Sequence, residues 1–122
     1  MEPTVEEVMQ SAEAGDSESQ FRLGLMYDRG IGIPQDYLEA SKWYRKVAEQ
    51  GNAWGQIFLS LMYEFGKGLP QDYMQAYLWM SLAAIQGVED AMVESARLAD
   101  HLTAAQLAQV EKMVQQWRPT LP

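Results

Sequence analysis

Apolar residues recur along the chain at the spacing of amphipathic helices, in a pattern that is written twice. The stretch from Gly15 to Gln50 is repeated from Gly51 to Gln86 at a constant offset of 36 residues. Each copy carries one apolar set before a pair of glycines and a second set after them. A fixed period of about 20–50 residues is typical of stacked supersecondary units, so the repeat predicts an all-α fold built from helix pairs.

Each copy predicts two helices with chemically defined starts. Asp16 is suited to cap a first helix that runs to about Arg29. Asp36, with Glu39 three residues later, has the pattern of a capping box at the start of a second helix over about 37–50. The matching features of the second copy are Asn52, Phe65, Asp72, Gln75 and a helix over about 73–86.

The two copies are flanked by shorter helical patterns. Thr4 and Glu7 form a capping-box pattern before a helix over about 5–14, which is interpreted as an N-terminal half repeat. The repeat fades after Gly87, and a Thr103 capping box starts a last amphipathic helix over about 104–118. We expect one domain, 1–122, with about six helices. Its parts are a capping helix (1–14), two repeats (15–50 and 51–86) and a degenerate closing helix pair (87–122).

Both copies keep a Gly-x-Gly loop, an Asp four residues after it and a Trp seven residues further on. These residues are Gly30, Gly32, Asp36 and Trp43, and then Gly66, Gly68, Asp72 and Trp79. Together with the Leu and Tyr before each loop, they resemble the Sel1-like repeat, a relative of the tetratricopeptide repeat. The resemblance implies a right-handed α-solenoid of antiparallel helix pairs that acts as an adaptor in protein complexes. It implies no catalytic residue.

The charge of the chain narrows the choice of partner. Seventeen acidic residues against nine basic ones give a net charge of −8, which disfavours nucleic acid or a membrane surface and favours a basic or apolar protein segment. The absence of Cys excludes disulfides and thiolate metal sites. The first residues are acidic, unlike a signal peptide, so we expect a soluble cytoplasmic protein, or an exported one if a leader has been removed.

Residues that could carry catalysis are explained better by the repeat. The glycine loops follow no strand and contain no Gly-Lys-Ser/Thr, and Asp36 would repel a phosphate at the next helix start. His101 is the only histidine, and no nucleophile or ligand set is assigned to it. We therefore expect no catalytic residue, cofactor or metal. A small hydrolase or carbohydrate-processing enzyme is the alternative.

One apolar stripe in the second copy is not required by the repeat. Its members lie at i, i+4, i+7 and i+11 of one helix, and the same positions of the neighbouring units are almost all charged. Since first helices line the concave surface of tetratricopeptide-like stacks, we predict a protein-binding site with this stripe at its centre. The central residues are Trp54, Phe58, Leu61 and Phe65. The acidic rim, expected to favour a basic ligand, is Glu18, Asp90 and Glu94, and the basic rim, expected to fix its register, is Arg22, Arg29 and Arg97.

Two alternatives assign these apolar surfaces to the protein itself. The stripe could pack against the N-terminal helix or against a second copy of the chain. A further stripe, Leu78, Leu82 and Ile85, replaces charged residues of the first copy, and the closing helix offers matching residues to cover it: Leu107, Val110 and Val114. An exposed dimer patch is the other reading of that stripe. We expect a monomer or a weak homodimer, with a structural homo-oligomer as an alternative function.

Overall fold

The computed structural model describes residues 1–120, which form seven helices joined by short turns and loops. The predicted number, about six, is one too low, because the capping helix and three helix pairs sum to seven. The helices are α1 (Val5–Glu13), α2 (Ser17–Arg29), α3 (Tyr37–Glu49), α4 (Ala53–Phe65), α5 (Tyr73–Ile85), α6 (Glu89–Ala99) and α7 (Ala104–Gln116). From α1 to α6 each helix packs against the next, and α7 packs against α5. This is the all-α solenoid that the repeat predicts.

The helix starts are fixed by the predicted caps, with one difference. Thr4 and Thr103 both form complete capping boxes. The Asp36 carboxylate accepts a hydrogen bond from the Glu39 amide at 3.1 Å, but the Glu39 side chain does not complete the box. The Asp36 amide instead donates to the carbonyl of Tyr27 at 2.8 Å, and Asp72 repeats this bond. The predicted capping box is therefore wrong here. In a capping box the Glu39 side chain would accept the Asp36 amide, but the carbonyl of Tyr27 in the preceding helix already accepts it.

Small residues let neighbouring helices approach closely, as their positions in the repeat indicate. A Cβ on Gly55 would lie 2.6 Å from Val47 and 2.8 Å from the Ala48 amide, so α3 and α4 touch at this point. A Cβ on Gly24 would lie 2.7 Å from the ring of Tyr44, which is fully buried. The small residue of one helix and the large residue of the next thus fill one volume.

Repeated glutamines join the two helices of each unit and link each unit to the preceding one. Gln50 donates to the side-chain oxygen of Gln20 at 2.9 Å, and Gln86 donates to that of Gln56 at 3.0 Å. The buried Gln20 and Gln56 amides donate in turn to the carbonyls of Ala12 and Ala48. These bonds give the identical glutamines of the two copies a structural role, since a buried amide without partners would destabilise the fold.

The closing helix α7 covers most of the apolar stripe on α5. Leu78 and Leu82 are each 6 % exposed and share a core cluster with Val110 of α7, as predicted. The expectation fails for Ile85, which is 70 % exposed. After α7 the chain returns to the turn between α3 and α4, where the Thr120 amide donates to the carbonyl of Glu49 at 2.6 Å.

Candidate protein-binding groove

Helix α4 presents large apolar side chains at its surface. Trp54 is 54 % exposed and Phe65 is 61 % exposed, at opposite ends of the helix, and Leu61 lies half-buried between them. Asn52 caps this helix through bonds to the Trp54 and Gly55 amides, which fixes the first turn that carries Trp54. We call Trp54, Leu61 and Phe65 the α4 ridge.

Phe58, the fourth member of the predicted stripe, is half-buried and packs against other helices. Its ring centroid lies 5.3 Å from that of Phe21 on α2 and 5.3 Å from that of Tyr44 on α3. Edge-to-face and tilted aromatic contacts at this distance stabilise a core. The alternative of internal packing therefore describes Phe58, although the partners are α2 and α3 and not the N-terminal helix.

A groove of about 340 Å³ lies between α4 and α6. The α4 ridge forms one wall together with Ile57, and the buried Met80 of α5 contributes to the lining. The α6 wall consists of Asp90, Ala91, Glu94 and Arg97. The structure thus brings three of the four predicted central residues together with three of the predicted rim residues.

A smaller groove of about 160 Å³ lies on the α2 side of the ridge. Leu61 and Phe65 line this groove as well, together with Phe58, Met62, Asp28 and Lys67. Leu61 and Phe65 therefore lie between the larger groove and the smaller groove and line both of them.

The difference in size between the grooves accompanies the exchange of three aromatic rings between the copies, since Phe21, Tyr44 and Phe58 correspond to Ile57, Met80 and Glu94. In the first unit, Tyr44 packs against Phe21 and Phe58 and fills the space between α2 and α4. Met80 stands at the same repeat position in the second unit, beside the larger groove. This replacement of an aromatic ring by a narrower side chain is visible in the sequence, but Met80 and Ile57 were not among the predicted site residues.

Arg97 is held by two carboxylates of the protein itself. Its guanidinium donates to Oε1 of Glu64 at 2.8 Å and lies 2.7 Å from Oε2 of the same residue. It also donates to Glu94 at 2.8 Å. The bonds to Glu64 and then to Glu94 raise the pKa of Arg97 further above its ordinary value. Arg97 is therefore a structural cation in the α6 wall, with its charge already compensated.

The remaining predicted rim residues lie on α2, outside the groove between α4 and α6. Arg22 and Arg29 line a separate depression of about 620 Å³ together with Leu25 and the N-terminal segment. Glu18 is exposed in the first turn of α2. The structure therefore does not bring Glu18, Arg22 and Arg29 into the groove formed by the ridge and α6.

The described residues place no metal-binding cluster beside these grooves. Within residues 1–120, no group of three or more His, Cys, Asp or Glu side chains could hold a metal ion. His101 stacks on Tyr73, with ring centroids 4.1 Å apart. In the same part of the chain, each helix is too short or too polar to span a bilayer.

The repeat pattern matches a known family over more than half of the chain. The model of the Sel1 repeat matches residues 17–52 and again residues 55–88. The chain belongs to the Sel1 repeat family. Sel1 repeat proteins are generally protein–protein interaction modules and non-catalytic scaffolds.

This Sel1 repeat chain is similar to parts of longer proteins. It is similar to c5321, a protective antigen of uropathogenic Escherichia coli that displays an SLR fold, with a TM-score of 0.87 and 35 % identity over 93 % of this chain and 24 % of that one. A Sel1 repeat protein of Oxalobacter formigenes gives a TM-score of 0.74 and 35 % identity over 78 % of this chain and 39 % of that one. The rat DAP3-binding cell death enhancer 1 is 45 % identical over 38 residues, which are 31 % of this chain and 8 % of that protein. The chain therefore spans less than half the length of each.

Proposed function

We propose that this Sel1 repeat chain is a non-catalytic interaction module that binds a peptide segment of another protein along the α4 ridge. The observation that carries the proposal is the exposure of Trp54 and Phe65, which are 54 % and 61 % exposed on one helix. Their repeat equivalents are Glu18 and Arg29 in α2, and Asp90 and His101 beyond α5. Since polar residues serve at these positions in the neighbouring units, the aromatic side chains are not needed to build the solenoid.

The shape of the groove favours a segment over a flat protein surface. A volume of about 340 Å³ lies at the lower end of the range for ligand pockets, about 300–1,000 Å³. Trp54 stands at one end of this groove and Phe65 at the other, with Leu61 between them. One or two apolar side chains of a bound segment would fill it, and the polar atoms of α6 would surround them.

The energetic arrangement is that of an interface hot spot. Apolar anchors gain most when surrounding groups exclude water from them, and Asp90, Glu94 and Arg97 form such a rim on the α6 side. The Glu64–Arg97 bonds keep this wall in place before a ligand arrives, which lowers the entropy lost on binding. Removal of the Trp54 ring should therefore cost about 2–4 kcal/mol of binding free energy.

Affinity capture with matched variants tests the proposal. The protein, a Trp54→Glu, Phe65→Glu variant and a Leu38→Glu control are each used to capture proteins from a lysate of the natural host. Leu38 is 50 % exposed on α3, so the control adds a charge at a comparable apolar site on another helix. Circular dichroism verifies that all three are helical.

The proposal predicts a partner that the protein and the Leu38→Glu control retain and the ridge variant loses. Overlapping synthetic peptides of that partner should then include one that binds with the same dependence on the ridge. Equal capture by the folded ridge variant would overturn the proposal. Capture of the chain by itself alone would favour the homo-oligomer instead.

A further inference from the structure

Cations lie on the α2 side of the α4 ridge. Lys67 lines the smaller groove together with Phe65, and its ammonium group lies 5.3 Å from the centroid of the Tyr37 ring. Arg29, and Arg22 about two turns before it on α2, line the separate depression that also contains Glu2. Within residues 1–120 none of the three cations takes part in an ion pair. Their charges are therefore available to a ligand.

Three acidic residues, Asp28, Glu18 and Glu2, lie on the same side. The Asp28 carboxylate is half-buried and accepts a hydrogen bond from the Tyr44 hydroxyl at 2.9 Å. Glu18 lies in the first turn of α2, at the end away from Arg29. Glu2 lines the depression that holds Arg22 and Arg29. Three cations and three carboxylates leave the α2 side close to neutral in sum, and Lys67 is the cation that lines the smaller groove.

The α6 side of the ridge is negative. Glu89 and Asp90 are exposed in the first turn of α6, and no cation within the described part of the chain pairs with either. Arg97 does not offset them, because its single positive charge is shared between Glu64 and Glu94. The α6 wall is therefore negative in sum, although it contains an arginine.

We infer that the bound segment is charge-segregated, with a basic side chain toward Asp90 near Trp54, apolar side chains on the α4 ridge and an acidic side chain toward Lys67 near Phe65. The inference rests on the proposed function and adds the chemistry and direction of the ligand. It replaces the generally basic ligand expected from the net charge with one that has an order of charges. Complementary charges at the edge of an interface fix orientation and reject wrong partners more than they add affinity.

A random peptide library displayed on phage tests the order of charges. The library is selected on the immobilised protein after depletion on the Trp54→Glu, Phe65→Glu variant, so that only ridge-dependent peptides are enriched. The expected peptides carry Lys or Arg on one side of an apolar centre and Asp or Glu on the other side. Fluorescence anisotropy then measures the affinity of one enriched peptide and of a synthetic version with its two charges exchanged.

Charge-reversal variants provide the decisive comparison. Asp90→Lys should weaken binding of the enriched peptide about three- to tenfold, with a smaller effect in high salt, and Lys67→Glu should act similarly at the other end. The combined Asp90→Lys, Lys67→Glu variant should prefer the charge-exchanged peptide.

The outcomes separate the inference from the function on which it rests. Ridge-dependent peptides without any order of charges, or an enriched peptide that is insensitive to both reversals, would overturn the inference and leave the proposed function intact. If no enriched peptide depends on Trp54 and Phe65, the proposed function and the inference both fail.

Discussion

Glu64 of α4 is only 4 % exposed, and its carboxylate is bound by the guanidinium of Arg97 from α6. The same repeat position in the first unit is Asp28, whose carboxylate accepts the hydroxyl of Tyr44. The two copies thus satisfy equivalent carboxylates in different ways. In the second unit, the partner comes from the neighbouring helix α6 and joins the two walls of the larger groove.

Loss of Arg97 should destabilise the protein, because Glu64 would be left buried without a partner. Arg97→Met retains much of the aliphatic length and should lower the free energy of unfolding by about 2–3 kcal/mol, measured by urea denaturation. The double variant Glu64→Leu, Arg97→Met removes both charges and should recover at least half of that loss. Equal stability of the single and double variants would contradict a compensating role for Arg97.

The hydroxyl of Tyr44 should contribute a hydrogen bond that depends on pH. Tyr44→Phe should lower the free energy of unfolding by about 1–2 kcal/mol at neutral pH, because the half-buried Asp28 loses its donor. Burial, with Asp28 beside it, raises the pKa of Tyr44 above its ordinary value of 10.0. The unfolded chain therefore releases this proton at lower pH than the folded chain does.

It follows that the contribution of Tyr44 is complete below about pH 10 and is lost as the pH rises above that value. Urea denaturation of the protein and of Tyr44→Phe between about pH 8 and 11 measures this directly. The difference in stability between them should shrink over the upper part of this range. A difference that is constant or grows with pH would contradict the predicted direction.

Gly68 should tolerate replacement less well than Gly87. Its φ is +73°, and a Cβ would overlap the Tyr37 carbonyl and lie 2.8 Å from the Leu38 amide. Gly68→Ala should therefore cost about 2–4 kcal/mol, from backbone strain and from the forced displacement of the start of α3. Gly87→Ala is the matched control, since Gly87 has φ +97° and no atom within 4 Å of its Cβ position. It should cost about 1–2 kcal/mol, and thermal melts that rank the two variants in the reverse order would contradict this account.

The α5 stripe should respond to charge in two different ways. Leu82 is 6 % exposed beneath α7, so Leu82→Glu should prevent cooperative folding, whereas Ile85→Glu should change the stability by less than about 0.5 kcal/mol. Ile85 lines a shallow groove of about 310 Å³ with Tyr77 and Val114. Sedimentation of the protein and of Ile85→Glu should give the same monomeric profile, while a dimer that Ile85→Glu dissolves would assign this groove to self-association.

The helix ends could be predicted from the sequence because local chemistry decides them. Gly30 and Gly66 end α2 and α4 with φ of 69° and 65°, the left-handed conformation that glycine adopts without strain. The capping boxes of Asp36 and Asp72 were predicted wrongly, because the competing carbonyls of Tyr27 and Tyr63 come from helices nine residues earlier in the chain. A local pattern does not include such a partner.

The site could be predicted only in part. Helical spacing places Trp54 and Phe58 on one side of α4, but contacts with α2 and α3 bury Phe58 in part and leave Trp54 at the surface. The charge of Arg97 is visible in the sequence, whereas its engagement depends on the burial of Glu64 in another helix. Both differences arise from contacts between units, which the repeat pattern does not specify.

Photo-crosslinking at the ridge measures most directly whether it contacts a partner. Phe65 is replaced by p-benzoylphenylalanine in the protein expressed in its natural host, and Leu38 is replaced in the same way as a control at an exposed site on α3. We predict that irradiation yields a crosslinked partner from position 65, that the Trp54→Glu substitution in the same chain abolishes it, and that position 38 does not yield it. A partner that crosslinks only from position 38, or that crosslinks from position 65 regardless of Trp54→Glu, would contradict binding along the α4 ridge.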